Sequence, residues 1–416
     1  MNNAAENANI LIYEAENYQD MINHVAQASL ASNVTTTAGT LYRQGHRWCF
    51  QTALSLGALE SMTSARRVKT GAKLTSVEQV KESTNRSLDP KHAKGIARYV
   101  TSAVVNGSPY ILPSLTLNFE QPVDVFTIKG SSPTRAAVMV MPIGMQMEIT
   151  DGQHRVEGVG QAIAQVQQIG MDAIGAMITF TSDIGQIHQD FADCGKTKPI
   201  TPSVLAVFDR RNPANGLALD LIADNPLFKF TVDAAKGSIS ARSTAVWTTN
   251  QVRVMVKWAL QGSQCSDDVF SDNAMKMLGE RGTEAYNAFL TGLRTSLDIL
   301  CRFNPTLNKL SSLDQMRLDE IPRLRESDNS MTMTGSGLAV IGYLWYLLRK
   351  AKESNPTLDT DRIMQRIALV DWSHTSPLFR NNLKINPERT QSGQKYVKAA
   401  GEAIWAEVNR QEALAA

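Results

Sequence analysis

Residues 149–155 read ITDGQHR, an aspartate and a glycine running straight into a histidine and an arginine. Upstream, MQMEIT alternates Met145, Met147 and Ile149, the period of a strand with one buried face. Downstream, Val156, Val159, Ile163, Val166 and Ile169 recur at helical spacing. The motif therefore falls on a strand-to-helix junction. That position poses a question of charge, because a helix begins at the positive pole of its dipole and favours Asp and Glu there. The cations make sense if an anion binds. Asp151 would cap the helix, Gly152 would allow close backbone approach or an unusual φ, and the amides of Gly152, Gln153 and His154 would point at the ligand. Arg155 would add a planar fork matched to phosphate oxygens, and His154 a further donor. The competing reading is an ordinary i, i+4 pair between Asp151 and Arg155 with His154 solvated.

Working outward, AAVMVMP and AIGAMITF read as strands, and DIGQIHQDFADCG as a second helix. In RSLDPKHAKGIARYVTSAVVNG, Pro90 suits the first helical position with Asp89 as cap. Ile96, Tyr99, Val100, Ala103 and Val104 mark that helix's apolar face, and SPYILPSLTLNF reads as a strand after it. Beyond residue 200 the pattern turns helical, in GLALDLIADN, VRVMVKWALQ, AYNAFLTGLRTSLDILCRF and GLAVIGYLWYLLRKAKE. The expected fold is α+β: a polar lead-in over 1–38, a mixed-sheet domain over 39–225 and a mainly helical domain over 226–416.

The bulk composition excludes more than it selects. With 416 residues and 43% hydrophobic content the chain can bury a substantial core. Lys and Arg total 42 against 40 Asp and Glu, so net charge alone implies no polyanionic partner. Cys49, Cys194, Cys265 and Cys301 are scattered without metal-ligand spacing, which reads as reduced thiols. The start lacks a secretory pattern and the apolar runs are too short for a bilayer, so the expected location is cytoplasmic.

Other stretches carry candidate chemistry. GKTKPITPS offers Lys196, Lys198, Thr201 and Ser203 ahead of a helix, with Ser203 as a cap. It reads either as a second wall of a phosphate pocket or as a solvated loop. It is not a Walker A loop, because Asp190 stands where the first glycine should be. Arg66, Arg67, Lys69 and Lys73, with Arg86, Lys91, His92 and Lys94, form the densest basic stretch, which could track a DNA backbone or be merely solvated. Arg380, Lys384 and Arg389 form a similar group. His188, Asp190 and Asp193 could hold a cation, but solvated acids on a helix face explain them better, and no metal is expected.

TDGQHRVEGV resembles the signature of the DGQHR-domain family, the DndB-like proteins of DNA phosphorothioation systems. RSLDPKHAKGIARYV, SPYILPSLTL, FADCGKTKPITPSVLAVFD, GSISARSTAVWTT and VDWSHTSPLF resemble further family segments in the same order. The likeness spans roughly 40–400 and is strongest over 86–210. Gly195 departs from it, since the family often has Asn there. The resemblance implies a ParB/sulfiredoxin-like fold, in which Gly152, His154 and Arg155 match a phosphate-binding turn. It also implies a DNA-binding regulator of a phosphorothioation or related defence locus. Its implied partners are double-stranded DNA, a nucleotide such as a nucleoside triphosphate, and other proteins of the locus, with a homo-oligomer as a further expectation. The alternatives are an enzyme that cleaves a nucleotide or a DNA phosphodiester, and a protein-binding assembly factor. The expected phosphate or nucleotide site comprises Asp151, Gly152, Gln153, His154, Arg155, Lys196, Lys198 and Ser203. The expected DNA-contacting residues are Arg66, Arg67, Lys69, Arg86, Lys91 and Lys94.

Overall fold

The computed structural model describes residues 9–31, 33–64, 88–196, 200–209, 212–383 and 393–415. By internal contacts the chain divides into two compact units, 1–198 and 199–416.

The first unit is built on a nine-stranded mixed sheet, ordered β1-β6-β7-β2-β3-β9-β5-β8-β4 among the described residues. In chain order its elements are β1 (Ile10–Ala15), α1 (Tyr18–Ala31), β2 (Val34–Gln44), β3 (Arg47–Ser55), α2 (Leu59–Met62), β4 (Thr63–Ser64), α3 (Pro90–Val105), β5 (Leu115–Phe119), β6 (Val123–Ile128), β7 (Thr134–Pro142), β8 (Met147–Asp151), α4 (Gln153–Gln165), β9 (Ala173–Phe180) and α5 (Ile184–Cys194). The strand period of two sorts side chains onto two faces. Val125 and Met139 join a core with Phe50, Leu117, Ile149 and Ile178, under Ala97 and Val100 of α3 and Val159 and Ala162 of α4. Their chain neighbours Phe126 and Val140 instead meet Met21 and Val25 of α1 in a separate small core. Helices thus cover both faces.

Three expectations change here. Residues 10–44 are not a loosely packed lead-in: β1 pairs in parallel with β6 and β2 pairs with both β3 and β7. The polar run VTTTAGTLYRQ is a strand because β-branched threonines fit a half-exposed pleat without needing to be apolar. SPYILPSLTLNF is strand only over Leu115–Phe119, since Pro113 brings no amide donor and cannot extend a ladder. β8 is buried over Met147–Thr150 on both faces, rather than on one.

The second unit is helical, with α6 (Pro202–Phe208), α7 (Pro213–Asp224), α8 (Pro226–Lys229), α9 (Thr249–Gln261), α10 (Asp267–Leu278), α11 (Glu284–Phe303), α12 (Pro305–Ser311), α13 (Ile321–Asp328), α14 (Gly335–Ser354), α15 (Thr360–Leu369), α16 (Pro377–Arg380) and α17 (Gln394–Ala415). Its core gathers Trp247, Trp258, Phe228, Leu297, Leu344 and Ile404. Ala214, Leu217 and Leu221 of α7 belong to the same core. The helical unit therefore starts ahead of the expected 225/226 boundary.

Candidate DGQHR pocket

The motif lies at a strand-to-helix junction. β8 pairs antiparallel with β5, Leu117 facing Ile149, and a bulge between Thr116 and Leu117 brings Thr116 opposite Asp151. Bulges twist a strand and re-aim its side chains. The chain then turns at Gly152, whose φ of 114° lies in the left-handed region, and α4 begins at Gln153. Gly152 is required twice over, because a β-carbon there would meet Leu115 Cδ2 at 2.4 Å.

Gly152, and not Asp151, is the helix cap. Its carbonyl accepts from the amides of Arg155 at 2.8 Å and Val156 at 3.0 Å. Asp151 is still the last residue of the strand, so its carboxylate cannot fold back over the first amides. It instead accepts from Arg155 Nη2 at 2.5 Å. The ordinary i, i+4 pair is thus present. It does not satisfy the arginine: Nε of Arg155 is buried and has no hydrogen-bond partner.

His154 is buried and does not act as an extra donor through Nε2. That nitrogen accepts from the backbone amide of Asp89 at 2.9 Å, which makes it the unprotonated nitrogen of the ring. The bond ties the motif to the start of α3, where Asp89 caps the helix through the amides of Lys91 and His92 and Pro90 takes the first position. α3 and α4 meet closely at Gly158, where a β-carbon would lie 2.7 Å from the carbonyl oxygen of Ala93. Gln153 is buried beside His154.

These elements line an open pocket of about 110 Å³, formed by Asp151–Arg155 together with His92 and Phe191. His92 stacks edge-on against His154, with ring centroids 5.1 Å apart. On α3, Lys91 and Lys94 flank His92 in sequence and are exposed. Neither makes an ion pair among the described residues.

The other expected site residues divide. Lys196 does not line the cavity; it is exposed and paired with Asp193 at 2.7 Å. Ser203 belongs to the helical unit, inside α6, where Thr201 is the cap through the amide of Val204. Ser203 cannot cap because it already lies within the helix; its Oγ is buried and lacks a hydrogen-bond partner. Lys198, Arg66, Arg67, Lys69 and Arg86 lie outside the described residues. So do Lys73, Lys384 and Arg389. Asp190, weighed as a metal ligand, is buried and held by both terminal nitrogens of Arg47. No group of three or more metal-ligating side chains occurs among the described residues.

His92 and Phe191 are the lining residues that motif reading alone does not assign to the pocket. Both lie in segments with family resemblance, DPKHAKG and FADCG, but only the packing of α3 and α5 brings them to it. A larger groove of about 350 Å³ in the helical unit is lined by Asn225, Asp298, Cys301, Arg302 and neighbours. Burial pushes the Cys301 thiol up to about 12, which leaves it protonated and unreactive near neutral pH.

No described helix is long and apolar enough to cross a membrane. No curated protein and no solved structure matches the chain. The family model DndB, described as DNA-sulfur modification-associated, matches residues 38–410, most of the chain, and the protein therefore belongs to the DndB family.

Proposed function

We propose that this protein is a DNA-binding regulator of a DNA phosphorothioation locus, and that the DGQHR pocket with the adjoining end of α3 holds the DNA backbone. The observation that carries this reading is the family match across 38–410, which ties the chain to DNA-sulfur modification. The pocket supplies the physical support. Arg155 presents a guanidinium whose single carboxylate partner leaves Nε unsatisfied, and buried polar groups ordinarily have partners. Lys91 and Lys94 extend positive charge along the neighbouring helix. Arg66, Arg67, Lys69, Arg86, Lys196 and Lys198 remain proposed contacts on the strength of the sequence alone.

The size of the cavity favours a backbone phosphate over an enclosed nucleotide. Pockets that bury a whole drug-sized ligand run to about 300–1,000 Å³, and this one is about 110 Å³.

The reading is tested by gel shift with duplexes tiled across the locus's own promoter DNA and with mixed-sequence duplex, over a range of salt. A backbone-led complex weakens as salt rises, with a log–log slope near −0.9 for each phosphate neutralised. A regulator also prefers locus DNA to mixed sequence. Folded protein that binds neither duplex at low salt would remove the reading's support.

A further inference from the structure

We infer that His92 is the pocket's second charged contact to the phosphate, and that it takes up a proton when the phosphate binds. This rests on the reading that the pocket holds a backbone phosphate, and it adds which imidazole meets that phosphate and in which state.

The two imidazoles of the pocket are not equivalent. His154 is buried, and its Nε2 accepts from the backbone amide of Asp89 at 2.9 Å. A proton on that nitrogen would set one N–H against another, so His154 cannot become charged without releasing the start of α3. His92 is exposed on the first turn of α3, where its backbone amide goes to the Asp89 carboxylate. Its ring is held by no hydrogen bond among the described residues, only by the edge-on contact with His154. Both ring nitrogens of His92 are therefore free to donate, and an imidazolium donates from both. His92 and Arg155 line one pocket of about 110 Å³, against roughly 30 Å³ for a water in the liquid, so a single tetrahedral anion there is within reach of both side chains.

The charges around His92 decide when it takes a proton. On its own helix, Lys91, Lys94 and the positive end of the dipole oppose a charged ring, whereas Asp89 favours one. Across the pocket, Arg155 opposes it, and Asp151, already paired with Arg155, favours it. Phe191, contributed by α5, carries no charge. A phosphate adds a negative charge to this balance and tips it toward imidazolium. The other donors at the pocket do not respond in this way. Arginine and lysine are charged throughout the neutral range, and the Gln153 side chain and the first-turn amides of α4 have no proton to gain. The sign follows. The gain in affinity is full below the pH at which a histidine ordinarily titrates, about 6.5, and is lost as the pH rises through the higher value in the complex.

The test is the affinity of the intact chain for the promoter duplex, measured from about pH 8 down to about pH 6 at constant ionic strength. Wild-type protein should bind more tightly by roughly threefold to tenfold over that range, the yield of one charge-assisted contact. His92→Gln keeps a donor but cannot be charged, so its profile should be flat. His24 is exposed on α1, away from the lining residues, and His24→Gln should keep the wild-type slope. A flat wild-type profile overturns the inference while leaving the phosphate reading standing. A slope that persists in His92→Gln assigns the proton to another group, such as Asp151, and also overturns it, as does loss of the slope in His24→Gln. Failure of wild-type protein to bind any duplex overturns the inference together with the reading beneath it.

Discussion

Two arginine–aspartate pairs of the sheet unit are satisfied to different degrees. Arg47 on β3 makes two parallel hydrogen bonds to Asp190 on α5, at 2.7 and 2.6 Å, across 143 residues of chain. Gln186 donates to the same carboxylate at 2.8 Å. Hydrogen bonding to Asp190 raises the Arg47 pKa above its ordinary value, against burial that lowers it. Arg155 and Asp151, four residues apart, share a hydrogen bond through Nη2, with Asp151 43% exposed and Nε of Arg155 orphaned beside a cavity. The first pair is a fork closed on itself and holds a helix to a sheet. The second is closed on one side only. The two pairs thus differ in how many of the guanidinium N–H groups are satisfied.

Breaking the closed pair should have the largest effect. Asp190→Ala leaves Arg47 partly buried without its carboxylate and should cost about 2–3 kcal/mol, below the range for a fully buried pair because Arg47 retains some exposure. Hydrogen exchange at β3 and α5 amides is the readout, and protection equal to wild type would contradict the structural role. Charge on α3 comes next. Replacing Lys91 and Lys94 together with Ala should flatten the salt slope of DNA binding by about 1.8, at about 0.9 for each phosphate that is no longer neutralised. Surface changes of this kind usually alter stability by less than about 0.5 kcal/mol. An unchanged slope would confine DNA binding to the pocket or to the basic segment before α3. The smallest effect falls on the open pair. Asp151→Asn removes an exposed i, i+4 partner worth only about 0.3–0.5 kcal/mol, so urea unfolding should hardly move. DNA affinity should hold or rise, because the guanidinium loses its competing anion. Loss of stability as large as that of Asp190→Ala would erase the contrast between the pairs.

What the sequence makes legible depends on how local each signal is. The strand-to-helix junction at DGQHR and the Asp89–Pro90 start of α3 depend on residues next to one another in the chain, and both are found. The cap at Gly152 is not legible. Asp151 is the better capping side chain, and only the pairing of Asp151 with Thr116 keeps it in the strand. His154 reads as a donor until Asp89, 65 residues away, supplies the amide that occupies Nε2. The threonine-rich β2 escapes a reading built on apolar alternation, because β-branching is its signal. Phe191 and His92 become lining residues through tertiary packing, which periodicity cannot reveal.

The measurement that bears most directly on the open arginine is the salt dependence of DNA binding by Arg155→Ala, with thermal unfolding followed on the same sample. A phosphate clamp predicts weaker binding, a slope shallower by about 0.9 and an almost unchanged melting temperature. Arg155→Lys should restore little, since it keeps the charge and loses the fork. Wild-type affinity and slope in Arg155→Ala, or collapse of the fold, would contradict the account.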